Sequence, residues 1–197
     1  MMYAGNIFIK FGLIVFLPFA LTDEICGGIG HPEIVRDCTH MTQDHLIDLT
    51  IITGSVVIAM IVGTAIAKSF KRFWPIKISA ILNFIAVVGL LFCINMMVTK
   101  ALFFIVKFLL SVYNMLVWVV LCEFYPTVFR NTATGFINMW GKGAGAVATF
   151  LVYILYTTSP LAIVMLFIHA AFVSMLAGVL WDTETKDMDS ERADDAG

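Results

Sequence analysis

The chain has 197 residues, of which 60% are hydrophobic and 13% are charged, with a formal net charge of -2. Soluble domains contain roughly 45–50% apolar and 25% charged residues, so this composition excludes an ordinary soluble protein. The mean hydropathy of +0.95 agrees with that conclusion.

Six apolar segments follow one another, at about 3–21, 48–67, 76–96, 101–122, 133–156 and 160–181. Each is close to the roughly 20 residues that a helix needs to cross the hydrocarbon core. The segments are continuous and do not alternate as barrel strands do, which favours helices. The sequence therefore predicts an all-α membrane protein, with a six-helix transmembrane bundle in residues 1–182 and an acidic cytosolic tail in residues 183–197.

The first segment is a weaker candidate for a membrane span, because it contains Asn6, Lys10 and Pro18. It also has the basic start and short apolar middle of a signal peptide, although the cleavage site around Ala20 is poor. Under either interpretation the following loop lies outside the cytosol.

That loop, about residues 22–47, contains Cys26 and Cys38. Two cysteines in one polar loop on the oxidising side of a membrane favour a disulfide bond. A zinc site that adds His40 and His45 is the alternative, but the cysteines are too far apart for a zinc knuckle. We expect the disulfide and no metal.

Orientation follows from the basic residues of the short connections. The side predicted to be cytosolic contains most of them: Lys68, Lys71, Arg72, Lys77, Arg130, Lys186 and Arg192. The opposite side has only Arg36 and Lys100. Both chain ends are therefore expected in the cytosol if all six helices span.

The connection between the fourth and fifth segments reads EFYPTVFR, from Glu123 to Arg130. The external loop contains DEICG at 23–27 and TQDHLIDL at 42–49, and the last segment ends in DTETK at 182–186. Together these motifs resemble the organic-ion transporters of the major facilitator superfamily, in particular the synaptic vesicle protein 2-related (SVOP-like) branch. The matches occur in family order and cover almost the whole chain.

The resemblance implies a fold of twelve helices in two bundles, of which this chain resembles the second, helices seven to twelve. It implies a cytosolic gate formed by Arg72, Glu123 and Arg130, and a vesicle or plasma membrane as the location. The family loop D-R-x-G-R-[RK] is altered here to KSFKR, from Lys68 to Arg72, which removes a carboxylate from the gate. Lys68 and Lys71 could equally be ordinary cytosolic charges.

Polar residues within the segments are candidates for the solute path, since ionisable groups in a bilayer usually face a cavity or a partner. The candidates near the midplane, where transporter sites lie, are Lys10, Tyr113, Asn114, Lys142 and His169, with Lys107 nearer the external end. Trp118 and Trp140 have polar neighbours and are further cavity candidates. Lys142 and His169 favour an anionic or zwitterionic solute, unless a second bundle supplies carboxylates. The alternative for His169 is a hydrogen-bonded packing residue.

Lys142 lies in the sequence GKGAGA, residues 141–146. Gly141 and Gly145 have the small-xxx-small spacing that lets two helix backbones approach, which favours close packing against a neighbouring helix. These glycines follow no strand, so they are not a phosphate-binding loop.

Two functions are consistent with these features. One is transport of a small organic solute by alternating access, with a second six-helix bundle as partner. The other is a non-transporting, truncated half-bundle that associates with full-length relatives and regulates them. The sequence has no catalytic motif, and we expect no enzyme activity, cofactor or nucleic-acid partner.

Overall fold

A computed structural model describes residues 2–22, 43–69, 73–91, 96–124, 127–156 and 159–180. The described residues form six α-helices and no strand, which confirms the all-α prediction for this part of the chain. The helices are α1 Met2–Thr22, α2 Gln43–Ser69, α3 Phe73–Gly89, α4 Met96–Phe124, α5 Thr127–Tyr156 and α6 Pro160–Val179.

Several helices are longer than the apolar segments that predict them. Helix α5 begins at Thr127 rather than near residue 133, and its first turns include Arg130 and Asn131. Polar residues continue a helix beyond the hydrocarbon because the backbone hydrogen bonds do not depend on apolar side chains. Helix α3 is shorter than its segment and ends at Gly89, where Leu90 and Leu91 close a turn onto the carbonyls of Val87 and Val88.

Three helices contain a stretch long and apolar enough to cross a membrane: Gln43–Ser69, Met97–Leu121 and Leu161–Val179. Helices α1 and α3 contain the shorter apolar stretches Tyr3–Pro18 and Trp74–Gly89. Length and composition thus indicate a membrane protein.

The helix boundaries follow local sequence signals. Proline lacks an amide hydrogen and fits the first turn of a helix, where that hydrogen has no partner. Pro160 is the first residue of α6, after an extended Ser159 at the N-cap. Pro126 lies in the two-residue connection between α4 and α5, which is itself outside the described residues.

Close contacts between helices have a two-fold pattern. The most extensive contacts are α1 with α5 and α2 with α4, followed by α3 with α6, α1 with α6 and α3 with α4. This pattern is unchanged when α1 is exchanged with α4, α2 with α5 and α3 with α6. The exchange turns the α1–α5 contact into the α2–α4 contact and the α1–α6 contact into the α3–α4 contact, and it leaves the α3–α6 contact as it is. The remaining contacts follow the same exchange with one exception: α5 touches α6, whereas α2 and α3 have no comparable contact within the described residues.

Small residues form the two most extensive interfaces. Gly141 and Gly145 of α5 face α1, where a methyl group on Gly145 would lie 2.6 Å from the ring of Phe11. On α2, Ser55, Ala59 and Gly63 are buried at four-residue intervals, and Gly63 faces Val112 and Met115 of α4. The predicted close packing of the α5 glycines is therefore confirmed, and α2 has an equivalent stripe.

Candidate functional site

A cavity of about 240 Å³ lies between α1, α2 and α4. Its two ionisable lining residues are Lys10 of α1 and Lys107 of α4. The other lining residues are mainly apolar: Ile14, Leu17, Leu49, Thr53 and Val56. The Lys107 residue is only 3% exposed, so its stem does not snorkel to the surface and its ammonium group belongs to the bundle interior.

Neither of these lysines has a carboxylate partner among the described residues. The acidic residues of the six helices are Asp44, Asp48 and Glu123. Asp48 precedes the cavity-lining Leu49 but pairs with Lys100, with 2.5 Å between its Oδ2 and the lysine Nζ. Glu123 is sixteen residues from Lys107, or about 24 Å along the helix. The cavity therefore presents two cations without an internal anion.

Polar groups continue from the cavity along the contact between α1 and α4. Asn6, one turn before Lys10, donates from Nδ2 to the carbonyl of Leu110 at 3.3 Å. Its Oδ1 and the Oδ1 of Asn114 are buried and accept no hydrogen bond in the described part of the structure. Ser111 donates to the Lys107 carbonyl at 2.9 Å, which satisfies its hydroxyl within its own helix. These two asparagine oxygens are therefore unused hydrogen-bond acceptors on α1 and α4, the helices that contain Lys10 and Lys107.

The two lysines occupy equivalent places in a repeated segment, which motif reading alone did not find. Residues 9–16 read IKFGLIVF and residues 106–113 read VKFLLSVY, so the lysine, phenylalanine, leucine and valine recur in register. Burial follows the same register: Ile9 and Val106 are both 0% exposed, and Leu13 and Leu110 are both 1% exposed. This repeat could have been found in the sequence by aligning the first apolar segment with the fourth.

The remaining candidates of α4 lie in or near the core. Tyr113 is fully buried, and its hydroxyl accepts a hydrogen bond from Ser174 of α6 at 3.5 Å. Trp118 is half-buried and packs edge-to-face on Tyr3 of α1, with 5.4 Å between ring centroids. Both side chains connect helices. Asn114 is half-buried near the same interface.

The α5 and α6 candidates lie on the outside of the bundle. Lys142 and His169 are exposed, and Trp140 is 62% exposed. The His169 Nδ1–H donates to the carbonyl of Met165 in its own helix, at 3.2 Å. Lys142 flanks Gly141 by one position, about 100° around the helix, so it turns away from the interface that the glycine forms with α1. The structure thus separates Lys142 and His169 from the cavity of Lys10 and Lys107.

The predicted cytosolic gate and disulfide fall mostly outside the described residues. Arg72, Cys26 and Cys38 lie there, as does the side chain of Glu123. Arg130 is half-buried, and its Nε–H is buried without an acceptor in the part of the chain that is described. Both predictions stay open.

Within the described ranges, no three histidine, cysteine or acidic side chains come together as a metal site. A scan of protein-family models found no match to the chain, and a search of curated proteins found no significant match. The helix arrangement and the cavity are therefore the features of the protein that bear on its function.

Proposed function

We propose that the chain is one six-helix half of a solute transporter of the major facilitator type, which moves a small organic solute by alternating access. The observation that carries this proposal is the two-fold contact pattern, in which α1, α2 and α3 exchange with α4, α5 and α6. Major facilitator halves are built from two such three-helix repeats. The recurring segments at 9–16 and 106–113 support the same relationship at the level of sequence.

Helix direction supports an inverted repeat. Asp48 and Lys100 pair near the starts of α2 and α4, and Gly63 contacts Val112 and Met115 farther along, so these two helices run parallel. The connections between α2 and α3 and between α4 and α5 have only a few residues. If all six helices span, α1 and α4 cross the membrane in opposite directions. The exchange then relates units of opposite topology, as in many transporters.

The exposed face of α5 supports a second bundle. Lys142 and Trp140 are exposed there, and a methyl group on the neighbouring Gly143 would meet no described atom within 4 Å. A lysine near the middle of a bilayer costs about 2.5–3.5 kcal/mol on insertion scales. A second six-helix bundle, on the same or another polypeptide, would replace lipid at this face. Lys142 would then face that second bundle rather than lipid, which would lower this cost.

Uptake into liposomes tests the proposal. The purified protein is reconstituted alone, and protein-free liposomes give the background. Three radiolabelled classes are compared: dicarboxylates, zwitterionic amino acids and quaternary amines. We expect saturable uptake of one class and accelerated exchange when the same unlabelled solute is preloaded.

Chemical cross-linking in the same liposomes reports whether bundles pair. Cross-linked dimers with saturable uptake support the proposal. Paired bundles that take up none of the three classes would instead support the non-transporting, regulatory half-bundle. Monomers without uptake would contradict both functions for the chain by itself.

A further inference from the structure

We propose that Lys10 and Lys107 bind the two anionic ends of a small organic dianion in the cavity between α1, α2 and α4. This inference rests on the proposed function, because it names the chemical class of the solute. It differs from the sequence prediction, in which Lys142 and His169 were the anion-binding candidates.

Charge is the first argument. Lys10 and Lys107 line one small cavity, and neither has a carboxylate partner among the described residues. Like charges that face one space inside a bundle repel each other, and poor solvation makes the repulsion stronger than in water. A methionine or leucine at position 107 would pack there without this cost. A ligand that neutralises both cations would remove this cost.

The lining indicates what lies between the two anionic groups. Ile14, Leu17, Leu49 and Val56 supply apolar walls, and Thr53 supplies a hydroxyl. Inorganic phosphate or sulfate has no carbon skeleton to contact such walls, whereas a short dicarboxylate does. The volume of about 240 Å³ is below the range of about 300–1,000 Å³ found for drug-sized ligands. Size and lining together favour a small aliphatic dicarboxylate.

The two-fold relationship indicates the shape of the ligand. Lys10 and Lys107 occupy the same position of the repeated segment, one on each helix of the exchanged pair α1 and α4. A site with one cation from each repeat suits a molecule with two similar ends. Solute sites at the interface between repeats are a general feature of transporters.

Binding to the purified protein in a nonionic detergent tests the inference independently of transport. The probes are malonate, succinate and glutarate as sodium salts, with sodium chloride and tetraethylammonium chloride at equal ionic strength as controls. We expect one or more dicarboxylates to raise the unfolding temperature with saturation and to give a calorimetric dissociation constant. Absence of saturable binding for all three dicarboxylates overturns the inference, whatever the uptake assay shows.

Variants locate the site. Lys107→Met and Lys10→Met are expected to weaken dicarboxylate binding about tenfold or more, since a hydrogen bond to a charged group contributes about 1.5–3 kcal/mol. Lys107→Arg keeps the charge and is expected to retain more binding than Lys107→Met. The matched control is Lys68→Met, which removes an exposed lysine at the end of α2, outside the cavity, and should leave binding unchanged. If Lys68→Met weakens binding and the cavity variants do not, the assignment to this cavity is wrong.

The unfolding temperature without ligand separates a binding role from a structural one. Lys107→Met removes a buried charge, so we expect the empty variant to unfold at a higher temperature than the parent. A lower unfolding temperature, with dicarboxylate binding retained, would mean that Lys107 is structural and would overturn the inference.

An anionic lipid is the other source of similar chemistry. Phosphatidylglycerol added to the same detergent solution should not displace a bound dicarboxylate, since its headgroup carries one negative charge and the site has two lysines. Stabilisation by phosphatidylglycerol that is lost in Lys107→Met, with no effect of any dicarboxylate, would identify a lipid site instead.

Discussion

Gly145 of α5 lies directly under the ring of Phe11 of α1, where a methyl group on the glycine would approach the Cδ2 atom to 2.6 Å. Gly143, two residues earlier, has open space at the same point. An alanine at position 145 would therefore clash with α1, whereas an alanine at position 143 would not.

We expect Gly145→Ala to destabilise the protein by about 1–3 kcal/mol, because the added methyl group forces α1 and α5 apart or moves the Phe11 ring. Gly143→Ala is the control, and it should be neutral or stabilise by up to about 1 kcal/mol through helix propensity. Thermal unfolding in detergent measures both variants. Equal effects of the two variants would contradict the α1–α5 interface described above.

The stripe on α2 makes an analogous prediction. A methyl group on Gly63 would lie 3.3 Å from the Met115 Cβ, an atom that cannot move without α4. We expect Gly63→Ala to lower stability by about 1 kcal/mol, at the low end of overpacking. Gly54 of the same helix has open space, so Gly54→Ala should show no loss. If only the α5 variant were destabilising, the two interfaces would not be equivalent in energy.

The orientation prediction can be tested by glycosylation. An Asn-Ser-Thr acceptor placed near residue 32, in the middle of the loop predicted to be external, should be modified in microsomes. The same acceptor on an extension after Gly197 should remain unmodified, because basic connections orient that end to the cytosol. A gel shift removed by endoglycosidase reports the modification. Modification of the C-terminal acceptor alone would reverse the orientation.

If Cys26 and Cys38 form the predicted disulfide, the stability of the protein should depend on redox conditions. Reduction should lower the free energy of unfolding by about 2–3 kcal/mol, the value for a closed loop of about a dozen residues. Cys38→Ser should unfold at the temperature of the reduced parent and should not respond to reductant. Intact-mass measurement after alkylation checks whether the two thiols are blocked in the oxidised protein.

The helices could be predicted from sequence because a long apolar run in lipid has only one backbone solution. The connection at Pro126 was also readable, since proline ends one helix and favours the start of the next. Helix α4 ends at Phe124 and α5 begins at Thr127, within the predicted EFYPTVFR segment. These features depend on local chemistry alone.

The sequence did not predict in the same way which side chains face lipid and which face another helix. In α1 and α4, apolar residues surround the helix, so hydrophobicity does not distinguish a face toward lipid from a face toward another helix. Lys107 is buried and Trp140 is exposed, although both lie in apolar segments. Only small residues, which permit close approach, marked the interfaces in advance. The pairing of Lys10 with Lys107 depends on contacts between helices far apart in sequence.

The two three-helix units of the bundle make nearly the same set of contacts between helices. When two three-helix units share one contact pattern, swapping the conformations of the two units produces a second arrangement with nearly the same packing. If the proposed alternating access operates, the bundle would need little external driving force to alternate, and a modest difference in ligand affinity would shift the balance. The contact of α5 with α6, which α2 and α3 do not match in the described residues, is the interface that such an alternation would transfer from one unit to the other.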